Sequence, residues 1–167
     1  MILGLTIAQF TMLHVAISFV GIGSGLIALP AFAGDRVLPR ATGIFLWTTL
    51  LTSLTGFLFP IVAFTPALGV GIFSTLILGV AFWAWYVRKL TGSASSIYAV
   101  TATIGLWLNL FVLVVQSFLK IPALNALAPH GNEPPFAAAQ GVLLIAMLSL
   151  GYRAFRASRR LLTVKSV

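Results

Sequence analysis

The chain has 167 residues, of which 60% are hydrophobic and 7% are charged, and its formal net charge is +8. Because a soluble domain carries charge on about a quarter of its residues, this composition excludes a soluble globular protein and predicts an integral membrane protein. The basic residues lie between apolar segments or at the tail, which argues against a nucleic-acid partner. The chain has no cysteine, which excludes disulfides, thiolate metal sites and a cysteine nucleophile.

Five apolar runs predict five transmembrane helices, at residues 5–32, 41–64, 69–87, 97–119 and 136–154. Each run has at least 19 residues and none contains Asp or Glu, while about 20 residues suffice to cross the hydrocarbon core. The first run is too long for a cleaved signal peptide and lacks a basic region before it. The predicted fold is therefore all-α, a five-helix membrane domain over residues 1–154 followed by a basic tail at 155–167.

Prolines mark the ends and connections of these helices. Pro60 is expected to kink or end the second helix, and "FTPALG" then forms a tight hairpin to the third. The longest connection, "KIPALNALAPHGNEPP", contains four prolines that prevent one continuous helix. Its "ALNALA" piece can form a short helical turn, with Leu124 and Leu127 on the apolar side, which we expect to lie on the outer membrane surface.

The distribution of basic residues predicts the topology. Nine of the ten lie in the first and third loops or at the C-terminus, whereas Lys120 stands alone on the opposite side. The positive-inside rule then predicts an N-terminus outside and a C-terminus in the cytoplasm. Tyr86, Tyr98 and Tyr152 fall at the same helix ends as the basic residues, as expected for an aromatic belt.

Small residues at a spacing of four predict where helices pack closely, because lipid supplies no hydrophobic force between helices. The predicted packing residues lie in the first three helices: Gly21 and Gly25, Thr52 and Gly56, and Gly71 and Gly79, with Thr75 midway between the last two. Helix packing accounts for all of them without a functional site.

Polar side chains within the spans indicate a candidate ligand site. The fourth helix carries Asn109, Gln116 and Lys120, while His14 lies in the first helix and Gln140 one turn into the fifth. Polar groups at membrane depth are costly and usually face other helices or a wet cavity. Asn109 falls near mid-membrane, and the other four fall in the half opposite the basic loops or at its surface. The five are therefore predicted to converge in the outer leaflet and at the outer surface.

A specific arrangement follows for the fourth helix. Asn109 and Gln116 are expected to face the bundle interior and to hydrogen-bond His14 or the Thr48–Thr55 face of the second helix. The alternatives for His14 are an interhelical hydrogen bond and contact with a quinone headgroup or another small molecule.

Catalytic chemistry finds little support in the sequence. A b-type haem needs two histidines, but His130 lies in a loop and would have to fold inward to join His14. Two histidines, one glutamate and no cysteine make a poor metal site. Neither acid lies near a serine in a hydrolase motif, and "GIGSG" lies within a span and not after a strand. An enzyme is therefore not expected, and neither a metal nor a resident cofactor is predicted.

Several segments resemble an uncharacterised family of small multi-pass bacterial inner-membrane proteins. These are "LHVAISFVGIGSGL", "TTLLTSLTGFLFP", "LNLFVLVVQSFLKIPALNALAP" and "EPPF", and the likeness covers about residues 13–140. The resemblance implies a location in the bacterial inner membrane and no activity.

Two hypotheses for function follow. The first is a non-catalytic subunit or scaffold that packs against larger membrane proteins or against itself, which fits the small-residue faces and the lack of catalytic motifs. The second is a carrier or quinone-linked component that binds a lipid-soluble ligand through the polar residues of the outer leaflet. The chain shows no inverted repeat of the kind used for alternating access.

Overall fold

The computed structural model describes residues 1–60 and 66–164, with side chains for residues 1–60 and 68–160. The described chain is helical, as predicted, and its elements follow one another as α1 (Ile7–Ala33), α2 (Pro39–Gly56), α3 (Pro66–Phe82), a π-helical turn (Trp83–Val87), α4 (Ala94–Lys120), α5 (Pro122–Leu127) and α6 (Pro134–Val164). The all-α fold class is confirmed.

Four helical segments are long and apolar enough to cross a membrane, namely Ile7–Ala33, Leu68–Val87, Ala94–Lys120 and Pro134–Arg160. They support a multi-pass membrane protein. The remaining predicted span corresponds to α2, which has 18 residues and carries several hydroxyl side chains.

Local sequence explains where several helices begin and end. The Thr6 hydroxyl accepts the Gln9 N–H at 3.2 Å, and the Gln9 side-chain oxygen accepts the Thr6 N–H at 3.0 Å, so a capping box starts α1. Pro39 and Pro122 stand in the first turns of α2 and α5, where the missing N–H costs nothing.

The second helix is shorter than predicted. We expected it to reach residue 64, but α2 ends at Gly56 and a turn follows. Pro60 has no N–H to donate to the Gly56 carbonyl and disfavours the helical conformation at Phe59, which accounts for the early end. Residues 61–65 lie outside the described residues, and they include the first two residues of the predicted "FTPALG" hairpin.

Contacts between α1 and α2 show that the two helices run antiparallel. His14 near the start of α1 bonds Thr55 near the end of α2. Further along α1, Gly25 lies against Phe45, which precedes Thr55 in α2. Residue numbers thus rise along one helix as they fall along the other.

The same inverse order holds for four further pairs of long helices. The contacts are Ser53–Ser74 and Trp47–Phe82 for α2 and α3, Leu78–Gly105 and Trp85–Tyr98 for α3 and α4, Ser96–Ser158 and Phe118–Phe136 for α4 and α6, and Gly25–Leu106 and Phe32–Tyr98 for α1 and α4. Consequently α1, α3 and α6 run in one direction, and α2 and α4 in the other.

The core lies where α1, α2, α3 and α4 meet, and the inward face of α6 contributes Met147 and Ala154 to it. Its fully buried members include Leu29, Phe45, Leu78, Tyr98 and Leu106. Helix α6 lies at the periphery, since Val142, Ile145 and Leu148 on its outward face are each more than 60% exposed. Tyr98 is packed between Phe32 and Trp85, so its predicted place in an exposed aromatic belt is wrong.

Candidate functional site

His14 joins α1 to the hydroxyl-rich α2. Its Nδ1 lies 2.8 Å from the Thr55 hydroxyl oxygen, and the ring packs edge-on against Phe59 at 5.4 Å between centroids. The Thr55 hydroxyl donates its hydrogen to the Leu51 carbonyl at 2.7 Å, so it accepts from His14. We therefore assign the proton of His14 to Nδ1, which leaves Nε2 as an acceptor.

Asn109 makes the corresponding link from α4. Its side-chain amide donates to the Thr49 hydroxyl at 3.4 Å, and Asn109 is half-buried whereas Thr49 is buried. The sequence predicted that Asn109 faces the Thr48–Thr55 side of α2, and this contact confirms it. Because Asn109 and His14 bond different threonines, α2 is held from two sides.

Gln140 lies between α6 and α4. Its side-chain NH₂ donates to the Phe111 carbonyl at 3.2 Å. Its side-chain oxygen is buried without a hydrogen-bond partner among the described residues. The residue thus lies at the contact between α4 and α6.

Gln116 and Lys120 do not join the other polar residues. Both are exposed, and neither side chain hydrogen-bonds another described residue. The expectation that Gln116 faces the interior and bonds a neighbouring helix is therefore wrong. Asn109 lies opposite Thr49 in a parallel helix, so Gln116 is level with Gly56, where α2 ends.

Two of the predicted packing residues, Gly21 and Gly25, lie in tight contact with α2. A Cβ added to Gly21 would lie 3.1 Å from the hydroxyls of both Thr48 and Thr49, and one added to Gly25 would lie 2.8 Å from the Phe45 ring. These glycines therefore permit close approach of α1 to α2.

The other packing positions vary more. An added Cβ at Gly71 would lie 3.0 Å from the Phe57 ring, and one at Gly56 would lie 3.8 Å from the His14 ring. Thr52 donates to the Thr48 carbonyl at 2.9 Å. A Cβ on Gly79 would meet no described atom within 4 Å, so Gly79 differs from the prediction and has no close helix contact here.

The basic residues gather at one end of the bundle, which we call the basic end. It comprises the α1–α2 and α3–α4 loops and the last turns of α6, with Arg36, Arg40, Arg88, Lys89, Arg153, Arg156, Arg159 and Arg160. The Arg160 guanidinium reaches Asp35 beyond α1, with its Nη2 2.8 Å from the carboxylate. Sequence reasoning missed this pair, since nothing local relates two residues so far apart.

The opposite end carries α5. The Asn125 side-chain amide donates to the Phe118 carbonyl at 3.2 Å and so ties α5 to the last turns of α4. The prediction of a short helix within this loop is confirmed, and its place on the membrane surface stays a prediction. Leu124 is half-buried and Leu127 is 57% exposed.

The loop after α5 is organised around one carboxylate. Glu133 accepts hydrogen bonds from the His130 N–H at 3.0 Å, the His130 ring at 2.9 Å and the Asn132 N–H at 3.1 Å. Desolvation raises the pKa of Glu133, but these hydrogen bonds outweigh it and lower the pKa from 4.5 to about 2. The His130 ring is thus engaged by Glu133 within the loop.

Neither a metal centre nor a known relative explains the arrangement. Within residues 1–60 and 66–164, no group of three His, Cys, Asp or Glu side chains could hold a metal ion. No family model, curated protein or solved structure matches the chain.

Proposed function

We propose that this chain is a non-catalytic subunit or scaffold that crosses the bacterial inner membrane five times and packs against larger membrane-protein partners. The proposed location in the bacterial inner membrane rests on the family resemblance. The observation that carries the scaffold role is the use of the polar side chains. His14 and Asn109 bond α2, Gln140 bonds α4, and Gln116 and Lys120 lie apart from them.

The helix directions support five crossings. Helices α1 and α3 both run opposite to α4, so they run the same way. If both cross the membrane, the chain between them must return across it, and α2 is the segment available. Its 18 residues span about 27 Å, close to the thickness of a hydrocarbon core.

Burial explains how a less apolar helix can cross. Thr42, Thr49 and Ser53 of α2 are buried, and the Ser53 hydroxyl donates to Ser74 of α3 at 3.3 Å. Hydroxyls covered by neighbouring helices avoid the cost of facing lipid. This arrangement favours α2 as a central helix.

The basic end supports the orientation. The Asp35–Arg160 contact brings the α1–α2 loop and the α6 terminus to the same end of the bundle. With Lys120 alone at the other end, the positive-inside rule favours a cytoplasmic C-terminus. A reporter fused after Val167 should be cytoplasmic and one inserted at Asn125 periplasmic. A periplasmic C-terminal reporter contradicts this topology.

Site-specific photo-crosslinking in native membranes tests the scaffold role. A photoreactive residue at Ile145 of α6 and another at Leu76 of α3 sample two outward faces, with exposures of 67% and 65%. The same residue at buried Leu106 is the matched control. A scaffold gives a discrete protein adduct from at least one outward position, and an adduct of twice the chain mass indicates self-association. A monodisperse monomer without protein adducts overturns the scaffold role.

The second candidate is binding of a lipid-soluble ligand that donates a hydrogen bond, such as a quinol. One observation favours it: Nδ1 of His14 is engaged by Thr55, while Nε2 has no hydrogen bond with a described residue. A short-chain ubiquinol is the probe, measured by equilibrium dialysis of the detergent-solubilised chain. His14→Leu should abolish saturable binding and Thr11→Val, on the exposed side of α1, should leave it unchanged. Equal binding by both variants contradicts a ligand site at His14.

A further inference from the structure

Two polar side chains of α4, Gln116 and Lys120, are not used by the rest of the chain. Both are exposed, and neither side chain forms a hydrogen bond or an ion pair with another described residue. Because they are four residues apart, they lie on the same side of α4 and about 6 Å apart along its axis. Lys120 is the last residue of α4, so its ammonium stands at the end of the span and Gln116 lies one turn inside.

This side of α4 faces away from α6 and continues beyond the end of α2. Phe118, whose ring packs against Phe136 of α6 at 5.4 Å between centroids, is about 200° around the helix from Gln116. Asn109 lies about two turns before Gln116 on nearly the same side and bonds α2, which ends at Gly56. Among the described helices, α2 thus covers the preceding turns of α4 and leaves its last turns open on this side.

Neither acidic side chain of the protein pairs with Lys120. The chain has two acids, Asp35 and Glu133. Asp35 is held by Arg160 at the basic end, and Glu133 accepts the backbone N–H and the ring nitrogen of His130. A carboxylate that faces Lys120 therefore has to belong to another molecule.

The Gln116 amide distinguishes the kind of molecule that fits here. A surface lysine alone suits lipid phosphates, but an amide one turn inside offers up to four hydrogen-bonding sites that hydrocarbon leaves unsatisfied at a cost. Polar side chains of a neighbouring helix satisfy such a group, as Thr49 of α2 does for Asn109. A second copy docked through the same surface would bring two Lys120 ammonium groups together, and like charges at an interface repel. A different protein that carries a carboxylate is therefore favoured.

We propose that the side of α4 formed by Val112, Gln116, Leu119 and Lys120 is the docking surface for a transmembrane helix of a partner protein. The partner presents a carboxylate to Lys120 and a polar side chain to Gln116. Val112 is half-buried and Leu119 is 54% exposed, so apolar contacts flank the two polar ones. This inference rests on the proposed scaffold role and deepens it by naming the surface and the chemistry of the partner.

Carbodiimide coupling in native membranes tests the carboxylate opposite Lys120. The reagent activates a carboxylate, the Lys120 amine displaces the activating group as a urea, and an amide bond joins the two chains. We expect a coupled peptide in which Lys120 is joined to an aspartate or glutamate at the end of an apolar segment of another protein. Lys120→Arg keeps the charge but has no amine to couple, so it should lose this product. The absence of any coupled peptide that contains Lys120 overturns the carboxylate contact.

A photoreactive residue at Leu119 measures docking independently of that coupling, and it should give a discrete protein adduct in native membranes. The adduct should be retained in Lys120→Arg and should fall about tenfold or more in Lys120→Glu, because like charges across the interface repel. In Gln116→Leu it should fall about threefold, the effect of one hydrogen bond between membrane helices. Retention of the full adduct in both Lys120→Glu and Gln116→Leu overturns the proposed contacts.

Lys89→Glu is the matched control, because it makes the same charge reversal at an exposed lysine of the basic end. It should leave the Leu119 adduct unchanged, and equal losses in Lys89→Glu and Lys120→Glu overturn a local charge contact. An adduct of twice the chain mass identifies a second copy, and the absence of a protein adduct leaves the surface to lipid. Either result overturns the acidic partner. Melting temperatures of the purified variants no lower than that of the unmodified chain verify that each is folded.

The docking surface and the scaffold role fail in different ways. A partner adduct from Ile145 or Leu76 without one from Leu119 overturns this surface and retains the scaffold role. Protein adducts from none of the three positions overturn both.

Discussion

The Arg160 guanidinium holds the Asp35 carboxylate through two nitrogens, Nε at 3.1 Å and Nη2 at 2.8 Å, although the residues are 125 positions apart. The pair connects the loop beyond α1 to the last turns of α6. Asp35 adopts a positive φ of 60°, a backbone conformation that aspartate tolerates better than most residues. The contact aligns the ends of two helices that run in the same direction.

Asp35→Asn should lower stability only slightly. Both side chains are about half exposed, and solvent screening limits such pairs to about 1 kcal/mol or less. Thermal melting in detergent at low and high salt measures the effect, which should diminish at high salt. Glu133→Gln removes the other acid without touching this pair and should show no comparable salt dependence. A loss above about 2 kcal/mol would mean that the contact is more than a surface ion pair.

Gly25→Ala should destabilise the bundle by about 1–3 kcal/mol, as overpacking does in other cores. An added Cβ would lie 2.8 Å from both the Leu106 methyl and the Phe45 ring, which are fully buried and have little room to move. Gly23→Ala is the matched control two residues away, because its Cβ would meet no described atom within 4 Å. Thermal melting should therefore separate the two variants, and equal effects would contradict close packing at Gly25.

Apolar periodicity and proline position account for much of what was predictable in the fold. The long helices follow the apolar runs, since a stretch of that length without acids has few soluble alternatives. The predicted length of α2 was wrong because the sequence did not decide whether Pro60 kinks the helix or ends it. The helix directions required contacts such as Ser96–Ser158, which link residues that no local pattern relates.

The sequence also predicted part of the candidate site, namely the contact of Asn109 with α2, but not the surroundings of Gln116 and Gly79. Asn109 could be assigned to α2 because α2 offers hydroxyls at the same depth. Gln116 shares its side of α4 but is level with the end of α2, so its surroundings depend on where another helix stops. Gly79 shows a geometric error: a spacing of four advances about 40° beyond a full turn, so Gly79 is rotated about 80° from Gly71.

The Glu133 carboxyl should titrate with a midpoint near its lowered pKa of about 2, below the ordinary 4.5. A pKa lowered by folding means that the loop is stabilised above pH 4.5 and loses that contribution as the pH falls toward 2. Amide proton chemical shifts of His130 and Asn132 report the titration by NMR, since both N–H groups donate to this carboxylate. His130→Ala removes the ring donor and should raise the midpoint. A midpoint of 4.5 in the unmodified chain would contradict the loop geometry.

The His14–Thr55 contact should give a coupling energy of about 0.6 kcal/mol, the average for interhelical hydrogen bonds in membranes, and no more than about 1.7 kcal/mol. A double-mutant cycle of His14→Leu and Thr55→Val measures it through the free energy of unfolding. Thr11→Val in place of Thr55→Val is the control, because the Thr11 hydroxyl bonds the Ile7 carbonyl of its own helix. Equal coupling in both cycles would show that the loss at His14 is independent of Thr55.

Asn109→Leu and Gln116→Leu should differ, although both replace an amide with an apolar side chain on α4. Asn109 donates to buried Thr49, so its replacement removes one interhelical bond, worth about 0.6 kcal/mol on average. Gln116 is exposed without a hydrogen bond to a described residue. If lipid surrounds it, leucine there should be neutral or stabilising, because an unsatisfied amide in hydrocarbon is costly. Thermal melting in detergent and in lipid nanodiscs measures both variants. A stability loss for Gln116→Leu equal to that for Asn109→Leu would show that Gln116 contacts another helix in the membrane. Crosslinking from position 116 would then identify that helix.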